Sequence, residues 1–159
     1  TGPARRHLDA VTKLEVVLPF WLDRPDREAL EIARTVAESG FDALWIGEMA
    51  TYDAFALATA IGLRASELPL KIGPLAVGVR GPVTLALGVS TVASLTGNRV
   101  DLALGASSPA IVTGWHNRSW AHHVRVMRET IECLRPMLAG ERVTYRGRHV
   151  SSQGFRLRN

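Results

Sequence analysis

Cysteine occurs once in this chain, at Cys133. A single thiol excludes an intrachain disulfide, agrees with a reducing compartment, and within a helical pattern reads as a small core residue. Lysine occurs only at Lys13 and Lys71, so arginine carries nearly all the positive charge. No apolar run reaches about 18 residues, so no membrane-spanning helix is predicted. No apolar signal segment follows the basic opening Thr1 to His7, and the chain reads as cytoplasmic. It opens without Met and is expected to begin inside a longer polypeptide.

Several catalytic signatures are also missing. There is no GxGxxG fingerprint and no GxxxxGK[ST] loop, so neither a dinucleotide fold nor a P-loop is supported. No HExxH and no cysteine pair occur, and His122 and His123 are neighbours that point apart on a helix, so no metal site is expected. No GxSxG elbow marks a serine hydrolase. The net charge of +4 is modest. Five arginines (Arg142, Arg146, Arg148, Arg156, Arg158) crowd the end of the chain, but only Tyr145 and Phe155 accompany them. That tail reads as solvated surface or a seam to further protein, with no nucleic-acid partner.

What the chain does have is rhythm. Short apolar strands begin near Leu14, Ala43, Lys71 and Val100, and an amphipathic helix follows each. That spacing fits one strand, one crossover helix and two loops, and the alternation predicts a parallel sheet. Eight such units close a barrel of about 250 residues. Four predict half of a TIM-like (β/α)8 barrel, an α/β fold. The expected organisation is an extension over 1–12, four βα units over 13–140, and a hairpin with a basic tail over 141–159 that leads into a missing second half. A doubly wound α/β domain, with helices on both sheet faces, is the alternative.

Local signals fill in the units. Strands are expected over Lys13 to Leu18, Ala43 to Ile46, Leu70 to Val79 and Arg99 to Leu104. Asp23 and Asp26 suggest a cap for the first helix, whose buried face is Ala29, Leu30, Ala33, Val36 and Ala37, with Gly40 ending it. A second helix is expected from Asp53 to about Ser66, and a third opens at Gly81-Pro82 and closes at Gly97. The third strand contains Gly73, Pro74 and Gly78, which predicts a distorted strand end where backbone faces a ligand. A last helix, Trp120 to Ala139, carries Trp120, Val124, Met127, Ile131, Leu134 and Leu138 as one apolar stripe that reads as core. Arg142 to Val150 predicts a hairpin turning at Gly147.

In a barrel of this kind, ligands sit at the carboxyl ends of the strands. That rule selects Phe20-Trp21, Glu48-Met49, Ala76 to Arg80, and Gly105 to Ser108. Glu48 directly follows an apolar strand and is the candidate catalytic carboxylate, an acid, base or hydrogen-bond acceptor. The competing reading makes it a structural cap of the second helix. Gly105, Ala106, Ser107 and Ser108 offer small side chains and backbone amides to a phosphate or flat ring.

Across about 100 residues the pieces resemble the luciferase-like flavin and deazaflavin oxidoreductases, the bacterial luciferase superfamily. They are Tyr52-Asp53-Ala54-Phe55, Lys71 to Gly78, Arg80-Gly81-Pro82, Asn98 to Gly105, Gly114-Trp115, and Gly140 to Gly147. The resemblance implies the N-terminal half of the family barrel, with coenzyme F-420 or FMN at the strand ends. It implies a non-proline cis-peptide bulge within Leu75-Ala76-Val77 beneath the cofactor's middle ring, and a cofactor-lining role for Gly105 to Ser108. Arginine-rich usage agrees with a GC-rich genome and favours F-420, leaving FMN as the alternative. Glu48-Met49 lacks the histidine, and Ser108 replaces the glutamate, of the deazaflavin-dependent sugar-phosphate dehydrogenases, which disfavours that activity. The expected chemistry is hydride transfer to or from a small organic molecule, or flavin-dependent monooxygenation. The alternative is a non-catalytic half-barrel that forms a homo-oligomer or pairs with a missing C-terminal half, since its edge strands are unpaired.

Overall fold

Short strands spaced by helices build one sheet. This computed structural model describes residues 13–19 and 25–158. The extension over 1–12, the Phe20-Trp21 loop and the Asp23 cap lie outside the described residues. Strands β1 (Glu15–Val17), β2 (Ala43–Ile46), β3 (Leu70–Ala76) and β4 (Val100–Gly105) lie in the order β1-β2-β3-β4, each parallel to its neighbour. Helices α1 (Glu28–Glu38), α2 (Ala54–Gly62) and α3 (Pro82–Thr96) connect them.

Period-two alternation sorts the side chains between the two sheet faces. Leu44, Ile46, Leu70 and Ile72 are fully buried in one core with Ala29, Ala33 and Val36 of α1, Ala54, Ala58 and Ile61 of α2, and Leu85 and Ala86 of α3. Burying each such Leu or Ile contributes about 1.5–3 kcal/mol. On the opposite face, Val17, Trp45, Lys71 and Asp101 share a register. There Trp45 Nε1 donates to Glu15 Oε2 at 2.6 Å, and Lys71 pairs with Glu15 and sits over the Trp45 ring. The Lys71 and Trp45 hydrogen bonds hold the Glu15 carboxyl below its ordinary range. Helices therefore cover one sheet face and a polar network covers the other, which removes the doubly wound alternative.

Strand β3 is distorted earlier than expected. The register against β4 shifts between Ile72 and Leu75, where Gly73 has φ +134° and a Cβ on it would stand 2.2 Å from the Ala103 carbonyl oxygen. Among the described residues the cis peptide is Gly73–Pro74, and no non-proline cis peptide occurs at Leu75-Ala76-Val77. Glycine and a proline without an N–H are the residues that leave a ladder most readily, so the bulge settles on them. The strand ends at Ala76 rather than Val79, because Val79 and Arg80 both turn back to donate to the Ala76 carbonyl at 3.0 Å.

Other boundaries follow local chemistry. Gly40 and Gly97 both have φ +73°, and Gly97 ends α3 in the left-handed conformation. Arg27 is the N-cap of α1 and makes no side-chain capping bond; Asp26 contributes only its carbonyl oxygen, to the amide of Ala29. A π-helical turn, Ala110–Trp115, precedes α4 (His123–Leu138). Of the apolar stripe on α4 only Leu134 reaches the core. Glu129, Thr130, Cys133, Leu134 and Met137 are the buried positions, while Val124 is 69% and Leu138 41% exposed. Met127, Ile131 and Leu138 instead line an open groove beside Leu102 and Leu104 of the edge strand.

Strands β5 (Val143–Arg146) and β6 (Ser151–Phe155) form an antiparallel hairpin that runs past the expected end at Val150. Its arginines are not simply solvated: Arg142 donates to the Gly154 carbonyl and Arg156 to that of Gly140. Glu129 of α4 accepts the amides of Arg148, His149 and Val150 at 3.1, 2.7 and 2.9 Å. The turn must pass this carboxylate closely, since a Cβ on Gly147 would stand 2.5 Å from Glu129 Oε2.

Two outcomes follow. Asn98 is 5% exposed and its amide donates to the carbonyls of Ala65 and Leu68 at 2.7 and 2.8 Å. Asn98→Ala strands both carbonyls and should cost about 2–4 kcal/mol in urea unfolding. The hydrogen bonds from His149 first, then Val150 and Arg148, hold the Glu129 carboxyl below its ordinary value of 4.5. Its contribution is complete above that pH and is lost as pH falls through the lowered folded value. The exchange protection of the His149 and Val150 amides, relative to the intrinsic rate at each pH, should therefore fall on acidification below 4.5, and Glu129→Gln should abolish that acid step.

Candidate functional site

The carboxyl ends of β2, β3 and β4 enclose a cavity of about 300 Å³ lined by Glu48, Met49, Pro74, Ala76, Val79, Gly105, Ser107, Ser108, Ile111 and His116. The β3 bulge decides which residues reach it. Strict alternation from buried Ile72 would turn Leu75 toward the inner face, but the register shift restarts the count, so Leu75 is fully buried in the core and Ala76 faces the cavity. Small atoms make the wall: a Cβ on Gly105 would lie 3.0 Å from Pro74 Cβ. The Val77 amide donates to the Gly105 carbonyl at 3.1 Å and ties the two strand ends together. Ser107 sits at φ +66°, and Ser108 turns inward over the π-helical segment, where its hydroxyl and carbonyl accept the amides of Ile111 and Val112.

Of the expected cofactor residues, Ala76, Gly105, Ser107 and Ser108 meet in this cavity. Leu75, Val77 and Ala106 are not on its lining: Leu75 belongs to the core, and Val77 borders the neighbouring cleft. His116 was given no role by the sequence reading. It is the C-cap of the π-helical turn and lines the same cavity as Ser108. The Gly114-Trp115 pair beside it was the nearest available signal.

Glu48 borders the cavity and is also held in place. It accepts the Ala54 amide at 3.1 Å, at the start of α2, and Arg80 Nε at 3.1 Å. Arg80 forks further, pairing with both Glu48 and Asp53 and lying over the Phe55 ring. Asp53 in turn caps α2 by accepting the amides of Phe55 and Ala56. These two carboxylates raise the Arg80 proton affinity, Glu48 foremost. For Asp53, burial opposes ionisation, but the Ala56 amide and Arg80 prevail and its pKa is lowered. Glu48 is thus a brace at the start of α2, as the capping reading expects, and it stands on the cavity wall. Among the described residues no group of His, Cys, Asp and Glu is arranged to hold a metal ion.

The wall suits a flat ring: strand-end backbone and small side chains on one side, with apolar Met49, Val79 and Ile111 around it. The chain matches the luciferase-like monooxygenase family over residues 14–159 and belongs to it. A Mycobacterium tuberculosis protein, provisionally named as a coenzyme F-420-dependent oxidoreductase, is 28% identical over 143 residues, 89% of this chain and 41% of its own. The coenzyme F-420-dependent tetrahydromethanopterin reductase of Methanopyrus kandleri superposes with a TM-score of 0.76 at 19% identity, over 92% of this chain and 46% of that one. The FMN-bound oxygenating constituent of 3,6-diketocamphane monooxygenase from Pseudomonas putida gives 0.76 at 15%, over 88% and 43%. The chain spans less than half the length of each.

Arg80 and Glu48 are only 17% and 19% exposed, so breaking their fork is expensive. Arg80→Ala should cost about 2–4 kcal/mol in urea unfolding, and Arg80→Lys, which keeps charge but loses the fork, should cost less.

Proposed function

We propose that this chain forms the N-terminal, cofactor-facing half of an oxidoreductase that uses coenzyme F-420, with FMN as the alternative, to move hydride to or from a small organic substrate. One observation carries the reading. Ala76, Gly105, Ser107 and Ser108, from two strand ends, form one wall of small atoms at the barrel's ligand-binding end. Pro74 and Ala76 would support the ring from below, Gly105 and Ser107 would lie along it, and Met49 and Ile111 would exclude water. When bound, the flavin or deazaflavin supplies the hydride-exchanging ring; the protein orients it. Glu48 serves as a fixed acceptor at the wall, its position set by Arg80 and the Ala54 amide. His116 brings a group able to give or take a proton at the mouth. The F-420 preference rests on arginine usage and on the named relative from Mycobacterium tuberculosis. The lone buried thiol suits work in the cytoplasm.

A second reading has its own support. Every residue of the edge strand β4 is partly exposed, and the groove of Leu102, Leu104, Met127, Ile131 and Leu138 is uncovered. This is where a fifth strand and its helix would pack, so the chain acts only when joined to the rest of the barrel, or associates with itself through these edges.

Titration with F-420 and with FMN, followed by absorbance, separates the readings. The expected result is a saturable spectral change, tighter for F-420, that Gly105→Leu abolishes by filling the wall. Tighter FMN binding would reverse the cofactor preference. No change with either would leave the non-catalytic half-barrel, which should elute as dimers or larger species. A monodisperse monomer with micromolar cofactor affinity would remove that second reading.

A further inference from the structure

Behind the β3–α3 turn, on the far side of Val79 from the cofactor cavity, lies a second and larger cleft of about 590 Å³. Its lining is rich in donors and contains no carboxylate. The N-terminus of α3 opens onto it. Gly81 is the N-cap and provides no side-chain cap, and Pro82 has no N–H, so the Val83 and Thr84 amides enter the first turn without intrahelical acceptors. A fifteen-residue helix directs the positive end of its dipole at this point. The N-terminus of α4 reaches the same cleft through His122, its N-cap, which also makes no side-chain capping bond.

An independent feature marks the inner wall. Thr130 borders the cleft at 1% exposure, and its buried hydroxyl has no hydrogen-bond partner among the described residues. Buried hydroxyls are rarely left so, because the lost bond to water is not replaced. A ligand oxygen would satisfy it. Arg118 stands at the rim with no ion-pair partner among the described residues. His122 and His149 stack with ring centroids 4.8 Å apart across the cleft, their positions set by the α4 cap and by the Glu129–His149 amide bond. The mouth is open at Gly81, where an added Cβ would meet nothing within 4 Å. Donors line the cleft from two helix starts and the hairpin, and the neighbouring Glu129 carboxylate is already engaged by the hairpin amides, which suits an anion with several acceptor oxygens better than a cation.

We propose that this cleft binds a phosphate dianion, free or as a monoester, at a site separate from the cofactor wall. The test is amide-resolved NMR titration of the whole chain with inorganic phosphate and, in a second arm, with phenyl phosphate, at constant ionic strength set by chloride. Saturable shifts at the Thr84 and His149 amides are expected, and Arg118→Ala and Thr130→Val should each weaken binding about tenfold. A tighter phenyl phosphate constant assigns the site to monoesters, and equal constants assign it to the free ion. Shifts that chloride alone reproduces, or an affinity that Arg118→Ala leaves unchanged, would overturn the proposal. Arg118 is exposed, so that variant remains informative if Thr130→Val fails to fold. Riboflavin, which has no phosphate, should not compete here even if its ring enters the first cavity.

Discussion

Arg80 is the pin on which the ligand-binding end of this half-barrel turns. It leaves the β3–α3 turn and grips Glu48 beyond β2 and Asp53 at the cap of α2, while its plane covers Phe55. Three separate chain segments are thereby fixed relative to one another at one edge of the cavity. Each partner has a second duty: Glu48 also holds the Ala54 amide, and Asp53 those of Phe55 and Ala56. Removing the guanidinium would leave two neighbouring carboxylates facing each other, so the network is cooperative rather than a set of independent bonds.

The second constraint is steric. Gly73 passes so close to the Ala103 backbone that no side chain fits, and Gly105 packs tightly on Pro74, where a Cβ would lie 3.0 Å away. These close approaches draw β3 and β4 together and shift their register, and that shift puts Ala76 rather than Leu75 at the cavity. A functional wall made of backbone and small atoms follows from packing. What such a site offers is the room it leaves, and the acidic side chain beside it is a brace.

The inner sheet face and the free edges have one explanation. Glu15, Trp45 and Lys71 satisfy one another on a face that no helix covers, and β4 with the apolar side of α4 stays open. Both features suit a sheet that continues around a barrel, and the family's solved structures are about twice as long as this chain. The α4 stripe has correct helical spacing, but apart from Leu134 in the core its Met127, Ile131 and Leu138 border that open groove, so periodicity identified the helix and misplaced most of its partners.

Much was legible in the residues themselves. Strand spacing, the glycine stops at Gly40 and Gly97, the proline start at Pro82 and the turn at Gly147 all express short-range backbone preferences, which act within a few residues. The family motifs added the end of the barrel where a ligand would sit. What tertiary structure alone decided was partnership across distance: Arg80 with Glu48, Glu129 with the hairpin, His116 with Ser108 on one cavity, and the unsatisfied Thr130 on a cleft shared with two helix starts. It also decided side-chain direction on β3, because a one-residue slip in a strand exchanges its two faces and no local preference records the slip.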